Sequence, residues 1–214
     1  MALPAQPEIV TAANRRGVTE IVHFTTVQGA VGICATRAVK SRRLLPEDNY
    51  LEHVYRPNAL DRSRDSAWHD YVNLSVSRIN DWMFGASRRW HVTEGVSWVL
   101  LSFITKLLGD PGVVFTTTNN AYAGVTRAEG LEGFEQMFAD RVIGSYYGTV
   151  QRSPGHPSSF PTHRQAEVLY PFELPISYLQ KIYVQTEEGL DNVEGALGAT
   201  DTDVPAQLAP EVFR

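Results

Sequence analysis

The period of apolar and polar positions changes several times along the chain. Residues 19–26 combine β-branched and aromatic residues and predict a strand. In 27–36 the period lengthens, with Val27, Ala30, Val31 and Cys34 at helical spacing and Thr26 placed to cap the start. Residues 70–76 return to a strand, where Asn73, Ser75 and Ser77 alternate with apolar positions to leave one polar face. A helical turn is predicted at 81–84. Strands are predicted at 97–103, 113–117, 165–170 and 179–185. Leu131, Phe134 and Phe138 mark one face of a short helix over 130–138.

Between these elements, 37–64 is polar and mixed in charge and reads as short pieces and loops. Residues 107–112 carry turn signals. Residues 144–162 are rich in Gly, Pro, Ser and Tyr and read as a long loop, a feature that is uncommon in compact domains and often functional. The first 15 residues read as a loose lead-in or short helix, and the Gly- and Ala-rich tail after about 187 as frayed. The sum is a mixed α+β chain without an internal repeat or a regular βαβ series.

Composition narrows this picture. A length of 214 residues suits one sizeable core, so a single domain over 1–214 with its core at about 18–186 is expected. One cysteine excludes an intramolecular disulfide framework and an all-cysteine zinc site. No apolar run is long enough to span a membrane, and the N-terminus has no basic segment followed by an apolar run. A cytoplasmic protein is the expectation. The net charge of −5 hides an asymmetry: residues 1–100 carry 12 Lys/Arg against 10 Asp/Glu, and the rest carry 7 against 14. General coating of polyanions is thereby disfavoured, while a local basic site in the first half stays open.

The candidate chemistry sits at strand ends. His23 can hydrogen-bond a ribose hydroxyl or carboxamide, or serve as a structural histidine. Arg78 follows an apolar strand, where a rigid fork can meet a pyrophosphate; a solvated strand end is the plain alternative. Glu167 follows the long loop, with Gln165 on the same face. It can bind a ribose hydroxyl, stabilise an oxocarbenium ion or take a proton, or be an ordinary surface carboxylate. No P-loop, GxGxxG or GxSxG motif is present. His156, His163 and Cys34 match no compact zinc set, so no metal is expected. Arg37, Lys40, Arg42 and Arg43 form a basic run. Trp82, Arg88, Arg89 and Trp90 interleave aromatic and basic residues in the manner of single-strand binders, although the same residues can close a core.

Three ordered blocks resemble the DarT-type DNA ADP-ribosyltransferases, toxins of bacterial toxin–antitoxin pairs. They are Val22-His23-Phe24-Thr25, then Asp70-Tyr71-Val72-Asn73-Leu74 leading to Arg78, then Gln165-Ala166-Glu167-Val168-Leu169. The resemblance covers most of 18–186. It implies the ADP-ribosyltransferase fold, with a split, bent sheet around an NAD cleft. It also implies a glycosyltransferase-type reaction that moves ADP-ribose from NAD, as co-substrate, to thymidine or guanosine of single-stranded DNA. By resemblance, Glu167 and Arg78 are catalytic, and His23, Thr25, Tyr71, Asn73 and Arg78 bind NAD. Tyr146, Tyr147, His163 and Arg164 bind the acceptor, and the loop over 144–164 reads it. A macrodomain antitoxin is the implied partner. The run Val76-Ser77-Arg78 lacks the proline that members commonly carry before the arginine. RNA or protein as acceptor, and a non-catalytic binding module, are the alternatives.

Overall fold

A computed structural model describes residues 5–45, 67–92, 95–144 and 148–214. Helix α1 (Pro7–Arg16) starts on a proline and stops at Gly17, whose φ of 76° reverses the chain. Strand β1 (Ile21–Thr26) runs directly into α2 (Val27–Thr36), and the Thr26 hydroxyl accepts the Gly29 N–H at 2.9 Å as the cap. A Cβ at Gly29 would overlap the Thr25 hydroxyl, so the first turn of α2 lies hard against the end of β1. There follow β2 (Ala38–Lys40), β3 (Tyr71–Val76), α3 (Asp81–Trp90), β4 (Trp98–Phe103), β5 (Val114–Thr116) and β6 (Arg127–Glu129). Next come α4 (Gly130–Gln136), β7 (Arg141–Ile143), β8 (Thr149–Gln151), β9 (Glu167–Pro171) and β10 (Glu173–Pro175). The chain closes with β11 (Leu179–Val184), α5 (Glu187–Ala199) and β12 (Ala206–Leu208).

Among the described residues the main sheet has the order β12-β11-β4-β1-β3-β9-β5-β6. Its neighbours are antiparallel except β11 and β12. Strand β4 is buried at all six positions because both faces are covered. Val99, Leu101 and Phe103 enter one apolar cluster with Ile21, Leu74 and Phe115, while Trp98 and Leu100 pack with Val22 and Phe84 on the other side. Each such side chain contributes roughly 1.5–3 kcal/mol by leaving water. That double covering explains why consecutive residues 98–101 are all apolar.

The mixed α+β expectation holds, with three local differences. The tail after Glu187, expected to fray, is the helix α5 capped by Thr186 and then β12, whose register on β11 is Ile182↔Ala206. The apolar stripe Val193 and Leu197 is diluted by Gly and Ala in sequence, and docking on the first cluster is what reveals it. The helical turn at 81–84 extends to Trp90. Within the expected 144–162 loop, β8 pairs antiparallel with β7, and the described residues are irregular from Arg152 on. No helix among the described residues is long and apolar enough to cross a membrane.

The feature that creates a site is a split in the sheet. Strand β1 pairs with β4 along all six residues but with β3 only at Ile21↔Val76 and Val22↔Ser75. Beyond Val22 the two strands part.

Candidate active site

His23 is the first residue past the last paired position. Its Nδ1 lies 3.0 Å from the Asn73 carbonyl across the opening. A carbonyl only accepts, so Nδ1 carries the proton. The ring therefore replaces a lost ladder bond. On β3 the buried Val72, Leu74 and Val76 alternate with half-buried Tyr71, Asn73 and Ser75, which form the polar side of the opening.

Glu167 begins β9. The β3–β9 register runs from Tyr71↔Pro171 to Leu74↔Val168, and one further step sets Ser75 opposite Glu167. The carboxylate is thus one strand away from the split. It is only 8% exposed, and Oε2 accepts the Asn120 N–H at 2.7 Å. The Thr116 hydroxyl accepts the Glu167 N–H at 3.1 Å and donates to the Thr118 carbonyl at 2.7 Å, which wraps the 116–120 turn around the carboxylate. Arg127 locks that turn, donating to Asn120 Oδ1 at 2.6 Å and to its carbonyl at 2.5 Å. Its guanidinium lies 5.2 Å from the Trp68 ring centre, and Trp68 packs on Tyr71 at 5.1 Å. Burial lowers the Arg127 pKa, and the Glu167 charge counters it.

Arg78 is aimed by a sharp turn. Ser77 has φ 61°, in the left-handed region that a serine seldom adopts, and the Arg78 N–H bonds back to Val76 at 2.8 Å. The guanidinium lies 4.6 Å from the Phe160 ring centre. Burial lowers its pKa and Asp81 raises it, leaving it a cation. Asp81 in turn accepts from Arg164 at 3.2 Å. Two contacts therefore press the segment before β9 against the segment after β3.

The segment before β9 is firmly built. Arg152 donates to the carbonyls of Phe160 at 3.0 Å and Pro157 at 2.7 Å, and to the Thr162 hydroxyl at 3.2 Å. The Ser158 hydroxyl donates to the Arg16 carbonyl at 2.8 Å. His163 Nδ1 accepts the Gln165 N–H at 3.1 Å and lies 3.0 Å from the Thr118 hydroxyl, which donates to it. That role needs a neutral ring, and burial together with Arg164 lowers its pKa.

The structure thus links His23 to Asn73 across the opening, Arg78 to Phe160 and Arg164 to Asp81 between the segments after β3 and before β9, and His163 to the turn that holds Glu167. Thr25 is buried beneath Gly29 at the end of β1. Tyr146 and Tyr147 lie outside the described residues. Sequence reasoning missed Asn120, Arg127 and Phe160. The Thr-Thr-Thr-Asn-Asn run at 116–120 signals a turn, but nothing local marks it as the cradle of a residue 47 positions away. Among the described residues no group of three His, Cys, Asp or Glu side chains is placed to hold a metal ion.

Residues 22–214 match the family described as DarT, the ssDNA thymidine ADP-ribosyltransferase. No curated protein matches the sequence. Among solved structures, DarT of Thermus sp. 2.9 in complex with carba-NAD+ has a TM-score of 0.66 at 17% identity, covering 92% of this chain and 98% of that one. The same protein in complex with ADP-ribosylated ssDNA has a TM-score of 0.65 at 17% identity, covering 100% of both chains. DarTG of Thermosipho africanus in complex with ADP-ribose has a TM-score of 0.56 at 15% identity, covering 91% of this chain and 51% of that one.

Proposed function

The chain belongs to the DarT family of ssDNA thymidine ADP-ribosyltransferases, and from that premise we propose how its own residues divide the transfer of ADP-ribose from NAD to DNA. The observation that carries the assignment is the buried Glu167 carboxylate, held by the Asn120 N–H one strand from the opening between β1 and β3. The donor set suits NAD. His23, anchored by Nδ1 on the Asn73 carbonyl, faces a ribose hydroxyl. Arg78 offers a fixed cation to the pyrophosphate, and Tyr71 and Asn73 offer a polar wall.

Loss of nicotinamide leaves positive character at the ribose carbon. The Glu167 carboxylate stabilises that charge and, with His23, holds the ribose in a reactive pose. Of the two bases in the initial expectation, the family description names thymidine. Thymine in DNA has one N–H, at N3. The bond from N3 to the ribose carbon forms as the bond to nicotinamide breaks, and Glu167 takes the N3 proton. Single-stranded DNA exposes that edge without an unpairing cost. Arg78, Arg164 and Phe160 position the acceptor, with Tyr146 and Tyr147 as further contacts. His163 acts by holding the turn that delivers Glu167, and Thr25 by supporting the first turn of α2.

The same reading makes the protein a cytoplasmic toxin with a macrodomain antitoxin. The half-length match to a DarTG chain supports the pairing. The test is mass spectrometry of ssDNA, RNA and protein pools incubated with NAD, beside the Glu167→Ala variant. One ADP-ribose gained on thymidine by the parent alone is the expected result. Equal modification by the variant would remove Glu167 from its role.

A further inference from the structure

Helix α3 turns Phe84 and Ser87 into the protein. On the opposite pole stand Trp82 and Arg89, seven residues and so about two turns apart. Trp82 is 54% exposed and Trp90, in the last turn, 40%. A Cβ at Gly85, between them, would lie 3.6 Å from Arg89 Nη1, so the guanidinium folds back along the helix toward Trp82. Neither Arg88 nor Arg89 meets a carboxylate in an ion pair among the described residues. The helix also continues the site: Trp82 directly follows Asp81, the residue that ties α3 to Arg164 before β9.

We infer that this face of α3 binds the DNA strand that flanks the acceptor thymidine. Trp82 stacks on a neighbouring base, and Arg89 takes a phosphate. An exposed indole offers every base a π-face, and an arginine beside it supplies the counter-charge. A chain with net charge −5 needs such a local cationic track to hold a polyanion. An apolar protein surface would cover Trp82 but leave Arg89 without counter-charge, whereas Arg88 already lies over the Phe84 ring, so nucleic acid is the better fit.

The inference rests on the DNA-transferase reading, and the experiment separates the two. Transfer is measured with NAD on a short strand holding the thymidine and its immediate neighbours, and on strands extended on the 5′ or the 3′ side. NAD cleavage without DNA is followed in parallel. The parent favours an extension on one side. Trp82→Ala raises KM for that strand about ten-fold and abolishes the length preference, with kcat, melting temperature and NAD cleavage unchanged. Trp82→Tyr restores much of the loss. Arg89→Gln lowers the slope of log affinity against log salt by about 0.7, a slope that Trp82→Ala leaves alone. Parent-like behaviour of both variants on every strand would overturn the inference while leaving the transferase reading standing. So would loss of self-association or of macrodomain binding with KM for DNA unchanged. A parent that cleaves NAD but modifies no DNA would sink both.

Discussion

The two halves of the sheet, on either side of the split, treat polar groups differently. In the β11-β4-β1 half, the Glu20 carboxylate accepts from Ser102 at 2.6 Å and Tyr183 at 3.0 Å, both hydroxyls supplied by neighbouring strands. Gln180 adds a bond to Ser102 at 3.0 Å. In the β3-β9-β5 half, Glu167 is held by a backbone N–H of a turn, and that turn by Arg127 from the next strand. The first arrangement is a largely buried brace in which strand partners satisfy one another. The second fixes a carboxylate of β9 by a turn outside the ladder, one strand from the opening. A carboxylate at a sheet is thus informative only when its partners are known.

The sharpest way to break the contrast is to neutralise each carboxylate. Glu167→Gln should lower the rate of transfer by about 10³-fold. Glu20→Gln should leave kcat within about two-fold and cost about 1 kcal/mol of stability, a melting shift of about 2–4 °C. A rate loss in the Glu20 variant matching that of Glu167 would erase the distinction.

Leu101→Ala removes a fully buried side chain from β4. It should cost about 2–5 kcal/mol in denaturant unfolding with kcat at low temperature near that of the parent. In the other half, Arg127→Met keeps volume and loses the fork. Transfer should fall about 10–100-fold through displacement of the Asn120 turn and Glu167, with a smaller stability loss than Leu101→Ala. An unchanged kcat would show that the turn holds without it.

The smallest effect is a pH dependence. The folded pKa of His163 lies below its unfolded value near 6.5. The unfolded chain therefore binds the proton more readily, and stability is complete above about 6.5 and falls as pH drops toward the folded value. Melting temperature followed from pH 7.5 to 5 should decline over that window, and His163→Gln should flatten part of the decline. A variant with the parent's profile would assign the loss elsewhere.

Pattern and composition determined much of this protein. The strands around His23, Asn73, Leu101 and Glu167 show in β-branched and apolar runs because strand periodicity is local. The ordered placement of His23, Arg78 and Glu167 was legible too, since each lies in or just after such a run. The helix α5 was not, because its few large apolar residues matter only against the cluster they dock on. Nor were Asn120, Arg127 and Phe160. Their partners lie 47 positions away from Asn120 and far along the chain from Phe160, joined by sheet register and loop docking. The tertiary structure alone decided that β1 leaves β3 after Val22, and that His23 bridges the gap. A side chain's chemistry is written in its identity, but the partner that orients it is set by packing between distant segments.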